Sequence, residues 1–322
     1  MEHSVNATLP HRISSRLKLP LIVAPMLRVS GPDLVIASCR AGAIGAFPTA
    51  NARSPDELDH WLARIAGALA EGEQPCAPYC PNLIIRSSRL KDDLACLVRH
   101  RVELVITSVG SPAPVIPALH DIGCLVFADV ATMAHARKAM DAGADGLVLL
   151  TAGAGGQTGW LNGFAFARAV RAIFPGPIVL AGGICDGHAL RAARVLGCDL
   201  AYMGTTFIAT RESMASQAYK EMLVNCDMDD VLLTRAFTGL PANMLRPSIT
   251  RAGLDPDRLD EDVSLEAARE RYGGGTVMIE GPRRWTDIWS AGHSVSGVDA
   301  VMSVRELVDQ IADEYTRTDV SP

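Results

Sequence analysis

From residue 19 onward, short apolar runs bounded by glycine or proline alternate with segments whose apolar residues recur every three or four positions. That alternation predicts the strands and crossover helices of a parallel sheet. The strand candidates are Leu19 to Met26, Ala43 to Pro48, Ala77 to Ile84, Glu103 to Thr107, Leu125 to Asp129, Gly146 to Leu150, Pro177 to Ala181 and Leu200 to Met203. Near-continuous apolar strands need cover on both faces, so eight of them in series predict a closed (β/α)8 TIM barrel of the α/β class rather than an open sheet.

The helices between them carry start signals. Ser54-Pro55-Asp56-Glu57 reads as a capping box with proline at the first helical position; Leu58, Trp61, Leu62, Ile65 and Leu69 then share one face, and Gly72 stops the helix. Ser303-Val304-Arg305-Glu306 repeats the device, with Val304, Leu307, Val308 and Ile311 as the buried stripe of a closing helix. Residues 206–302 are too many for a βα connection and are rich in Arg, Met, Gly and Pro. They predict an inserted helical lid, leaving 1–205 and 303–322 as the barrel.

Composition narrows the function classes. The 322 residues are 48% hydrophobic and 20% charged, which excludes a disordered or fibrous chain. A net charge of -6 without long single-sign runs argues against a nucleic-acid partner. The first twenty residues lack the apolar stretch of a secretory signal, and no run approaches the roughly 18 apolar residues of a membrane span, so no membrane partner and a cytoplasmic location are expected. The eight cysteines are scattered, as suits buried hydrophobes in a reducing compartment. Cys76 and Cys80 form the one close pair, without the second pair that zinc needs, and no metal is expected.

Barrel enzymes place their sites at the C-terminal ends of the strands, with phosphate commonly held after strands seven and eight. Here strand seven runs into Gly182-Gly183 and strand eight into Gly204-Thr205, where exposed backbone amides form a phosphate cup and predict a phosphorylated cofactor. After strand six comes Thr151 to Gly159, with four glycines that let backbone lie flat on a planar ligand. It is not a dinucleotide fingerprint, because Thr158 stands where the third glycine of G-x-G-x-x-G belongs.

Taken together, Ala24-Pro25-Met26, Asn82, Gly155-Gly156, Gly182-Gly183 and Met203-Gly204-Thr205, with Phe237 to Ala242 and Trp289 to Gly292 in the lid, resemble the nitronate monooxygenase family. The resemblance runs through nearly the whole chain. It implies FMN, its phosphate on Gly183, Gly204 and Thr205 and its ring edge near Met26 and Asn82. It also implies oxidation of alkyl nitronates to carbonyl compound and nitrite, with oxygen as oxidant and the flavin carrying the hard step.

One departure bears on mechanism. The family loop reads Ala-Gly-Gly-His, its histidine acting as base, whereas Gln157 stands at that position here. An amide accepts no proton at neutral pH but donates hydrogen bonds to nitro, nitronate or thioester oxygens. A nitronate is already a carbanion equivalent; a neutral nitroalkane needs a base. His293, after the Trp289 to Gly292 segment, and Asp129, at the end of strand five, are the candidate catalytic residues beside Gln157. Asp129 and Gln157 are also cofactor-contact candidates, and Asp186 and Arg211 are placed as braces of the phosphate loop. His3, His11, His60, His100, His120, His135 and His188 fall on the tail or outer surface.

The competing reading is an NAD(P)H-dependent flavin reductase or dehydrogenase acting on an enoyl or acyl thioester of CoA, or on a quinone. Arg235, Arg246, Arg283 and Arg284 in the lid would then meet the CoA phosphates. A non-flavin sugar-phosphate isomerase or lyase and a non-catalytic binding role are further classes on this barrel. A homodimer is compatible with all of these.

Overall fold

The structure, a computed structural model, describes residues 9–71, 75–273 and 281–317. His3 and Gly72 lie outside the described residues. Eight parallel strands close into a barrel: β1 Leu21–Val23, β2 Ile44–Pro48, β3 Tyr79–Ile84, β4 Leu104–Ser108, β5 Leu125–Val130, β6 Gly146–Leu150, β7 Ile178–Ala181 and β8 Leu200–Met203. Ile22 pairs with Ile44 of β2 on one side and Tyr202 of β8 on the other, which closes the ring. β1 is shorter than the apolar run around it because Pro20 and Pro25 have no amide to donate.

Alternate residues fill the interior, among them Ile22, Ile44, Cys80, Ile106, Phe127, Val148, Val179 and Leu200. Leu9 and Ile13 of the amino-terminal segment join this cluster. The opposite faces of the strands bury against the outer helices in two further clusters.

The helix starts follow the chain's signals, with one difference. Ser54 accepts the Glu57 N–H at 3.1 Å, but the Glu57 carboxylate reaches past Ser54 to the Arg53 backbone N–H and guanidinium, so the box is not reciprocal. Ser303 and Glu306 do close a reciprocal box at the start of helix Val304–Thr316, which buries Val304, Leu307, Val308 and Ile311. Asp186 caps helix Gly187–Val195 by accepting the Ala189 N–H at 2.7 Å.

The insertion contains helices Gln217–Val224, Arg246–Arg251 and Leu265–Tyr272. It also contains two antiparallel strands, Val231–Thr234 and Ala242–Leu245. The second of these pairs on its other edge with Gly156–Gln157, in the loop after β6. This sheet was not read from the sequence because its third strand comes from the barrel, far away along the chain.

Candidate active site at the barrel mouth

The side-chain rows that fill the interior pass, on β3, through Asn82 and end, on β4, β5 and β8, in Ser108, Asp129 and Tyr202. Asn82 is buried; its amide donates to the Ile106 carbonyl at 3.3 Å and to Ser108 Oγ at 3.2 Å. Asp129 is the only charged residue in the eight strands. Its Oδ1 is enclosed with no hydrogen-bond partner, while the residue as a whole is half-buried. Burial pushes its carboxyl up to about 7. The neighbouring Cys80 thiol and Tyr202 phenol are pushed well above their ordinary values by the same desolvation, so the groups around Asp129 are neutral.

At the end of β7 a methyl on Gly182 would stand 2.5 Å from Thr151 Oγ1, so backbone and hydroxyl touch with no room for a side chain. Gly183 differs: it is exposed, holds φ +73, and a methyl there would meet nothing within 4 Å. That is an open cradle. At the end of β8, Gly204 lies against the β1 loop, a methyl there falling 3.3 Å from Met26 Sδ and 3.4 Å from Ala24 Cβ. The expected brace residues act elsewhere, Asp186 as a helix cap and Arg211 in an exposed pair with Glu306 at 2.9 Å.

Two residues that sequence reasoning missed hold the β1 loop. Asn51 donates to the Met26 and Ser30 carbonyls at 2.9 and 2.8 Å and accepts the Arg28 N–H at 2.8 Å. Arg28 sits at φ +61, and Ser30 Oγ accepts the Met26 N–H. Only contacts fixed at long range reveal this clamp. Thr206, whose buried Oγ1 has no partner, was missed too.

The loop after β6 is stitched to the lid. The His293 N–H donates to the Gly153 carbonyl at 2.8 Å, the Gly292 N–H to Thr205 Oγ1 at 2.9 Å, and Asn243 Nδ2 to the Ala154 carbonyl at 2.7 Å. Glycine is required at this seam, since a methyl on Gly292 would stand 2.5 Å from the Gly153 oxygen, and one on Gly155 would stand 2.8 Å from the Gly292 nitrogen. Behind it Trp289 stacks on Tyr219 at 4.7 Å and 12°, with the Arg251 guanidinium 3.4 Å over its ring. The strip 289–293 therefore lies on the C-terminal ends of β6 and β8.

Gln157 is half-buried; its backbone pairs with Ala242, and no hydrogen bond of its side chain exists among the described residues. Trp285, at φ +66, brings Cη2 to 3.9 Å from where a methyl on Gly156 would stand. His293 is exposed, its ring laid along Gly153. Arg246 and Arg283 pair with Asp257 and Asp287 at 2.8 and 3.2 Å, and Arg284 donates to the Phe237 carbonyl at 3.1 Å. The structure thus gathers Ala24, Met26 and Gly204 in one place and Gly155, Thr205 and Gly292 in another. It leaves the Gln157 amide and the Asp129 carboxyl unpaired.

The chain is similar to several known proteins. A nitronate monooxygenase of Paraburkholderia phytofirmans is 29% identical, covering 93% of this chain and 93% of its own length. A (3aS,4S,5R,7aS)-5-hydroxy-7a-methyl-1-oxo-octahydro-1H-indene-4-carboxyl-CoA dehydrogenase of Mycobacterium tuberculosis is 27% identical over 71% of this chain. The chain matches 64% of that dehydrogenase's length and 60% of a monooxygenase from the same organism. Among solved structures, a nitroalkane oxidase of Streptomyces ansochromogenes superposes with a TM-score of 0.75 at 24% identity, covering 94% of this chain and 97% of that one, and so shares the fold. No helix among the described residues is long and apolar enough to cross a membrane. The family model for nitronate monooxygenase matches residues 79–314, from β3 through the lid into the closing helix, and the chain belongs to that family of flavin-dependent oxidoreductases.

Proposed function

We propose that the protein binds FMN and oxidises alkyl nitronates to a carbonyl compound and nitrite with molecular oxygen. The observation that carries this reading is the pairing, at one end of the barrel, of an open backbone cradle with unpartnered buried polar atoms. Gly183 has room for a phosphate oxygen where a side chain would stand, and Asp129 Oδ1 and Thr206 Oγ1 lack partners that a ligand would supply. The residues fit the group. Gly183, Gly204 and Thr205 would hold the phosphate; Ala24, Pro25, Met26, Asn82, Asp129, Gly155, Gly156 and Gly182 would line the ribityl chain and ring. FMN, when bound, supplies the two-electron chemistry between nitronate carbon and oxygen.

The chain's own contribution is position and polarity. Gln157 offers amide hydrogens to the nitronate oxygens and takes no proton, which suits a substrate that arrives already deprotonated. The strip 289–293 covers the loop after β6 and limits water at the reacting atoms. His293, exposed beside Gly153, stays outside this assignment. The lid arginines engaged with Asp257, Asp287 and the Phe237 carbonyl give CoA phosphates less to bind, which favours the nitronate over the thioester. The test is chemical: purified protein should release FMN on denaturation and form nitrite and carbonyl product in equal amounts from a preformed nitronate in air. A colourless protein, or flavin without nitrite, overturns the reading.

A further inference from the structure

Resting on that reading, we infer that Asp129 is the base by which this chain also accepts neutral nitroalkanes, taking the proton that the amide of Gln157 cannot accept. The barrel wall makes the case. A charge in a parallel strand covered on both faces is costly, and only one of the eight strands carries any charged residue. That residue stands at the C-terminal end of β5, where this fold puts its chemistry. No ion pair or hydrogen bond accounts for it, since Oδ1 is sealed and unpartnered. A structural carboxylate in such a place would be neutralised by a partner. Asp129 has none among the described residues: the enclosed Oδ1 is the atom the cofactor would meet, and Oδ2, which is neither enclosed nor hydrogen-bonded, is left to exchange a proton with substrate.

The surrounding groups keep it poised. The adjacent strands β4 and β6 carry no titratable side chain. Cys80 on β3 and Tyr202 on β8 are the titratable groups that face it, and burial keeps both neutral. Desolvation alone raises the Asp129 carboxyl to about 7. It is therefore partly ionised at neutral pH and a stronger base than an ordinary carboxylate. In the step assigned to it, the α-carbon–hydrogen bond of the nitroalkane breaks and an oxygen–hydrogen bond forms on Asp129. The carbon's electron pair becomes the C=N double bond of the nitronate, and the negative charge passes to the nitro oxygens, where Gln157 donates. No oxidant is consumed. The nitronate so formed is the substrate of the reaction proposed above.

The experiment compares turnover of freshly dissolved neutral nitroethane with that of its preformed nitronate. In the unmodified protein the ratio of the two rates should rise with pH through about 7, since only ionised Asp129 accepts the proton. Asp129→Asn should lower the ratio at least about a hundredfold, the usual worth of a positioned base, and flatten its pH dependence. In infrared difference spectra a protonated-carboxyl carbonyl band should titrate near pH 7 and vanish in Asp129→Asn. If Asp129→Asn does not fold, the ratio in the unmodified protein decides: one flat from about pH 5.5 to 8.5 sinks the assignment. An unchanged ratio in Asp129→Asn, or a loss that follows His293→Ala instead, also overturns it. Absence of turnover on either substrate form would instead contradict the nitronate reading itself.

Discussion

The two ends of the same eight strands differ in kind. Toward their N-termini Ile22, Ile44, Leu104, Phe127, Val148, Val179 and Leu200 are fully or almost fully buried and carry no polar side-chain atom. A few residues further along the chain the same walls present Asn82, Ser108, Asp129 and Tyr202, flanked by loops in which backbone replaces side chains. The lower end is solved packing. The upper end keeps unpaired atoms, a strained Val109 at φ +54 just past β4, and a seam to the lid held by backbone hydrogen bonds. Positive φ occurs at both ends, at Arg101 before β4 as well as at Val109 after it, but the unmet buried polar atoms among the described residues belong to the mouth and the lid, at Asp129, Thr206, Arg284 and Thr286, which marks that end as the working one.

Three substitutions break this contrast in different places. Gly183→Asp should have the largest effect. The left-handed backbone tolerates Asp, and a side chain there meets nothing within 4 Å, so the protein should fold. Its carboxylate would stand where the phosphate belongs, and the purified variant should be colourless. A visible spectrum checks this; stoichiometric FMN in the variant would place the phosphate elsewhere.

Gly292→Ala should act next. Its methyl would stand 2.5 Å from the Gly153 oxygen and 2.7 Å from the Gly155 nitrogen, both backbone, so the strip must lift. The expected cost is about 1–3 kcal/mol of stability, with faster loss of bound flavin on dilution. Fluorescence of released flavin reports it, and unchanged retention would mean the seam does not cover the site.

Asp129→Asn should give the smallest effect on stability, of opposite sign. Because burial raises the folded carboxyl to about 7, above its unfolded value of about 3.9, the fold loses stability as pH climbs from about 4 to about 7, and the loss levels off above that. Removing the charge should therefore raise the melting temperature by a few degrees at pH 8, on the order of 1 kcal/mol, and by less at pH 5. Equal shifts at both pH values would show that the carboxyl is not desolvated.

The lower end of the barrel was legible because it obeys a local rule: apolar runs of strand length between glycine and proline give β2 through β8 to within two residues. The glycines that follow β7 and β8 were legible too, as side-chain-free turns at strand ends. The clamp of Asn51 on the β1 loop, the stack of Trp289 on Tyr219, and the pairing of Gly156–Gln157 with Ala242 and Asn243 were not. Each joins residues far apart in sequence whose local patterns are unremarkable, and Asn51 in particular reads as an ordinary turn residue. Asp129 was visible as a strand-end carboxylate, but its isolation among neutral groups emerges only once the ring is closed.

The central claim is that electrons enter this mouth from a nitronate. The most direct measurement mixes the flavin-loaded protein anaerobically with a preformed alkyl nitronate and, separately, with NADH and NADPH, while following the flavin absorbance. The nitronate should bleach the flavin and the nicotinamides should leave it oxidised. Rapid bleaching by NADH or NADPH with none by the nitronate would contradict the account and make the protein a reductase.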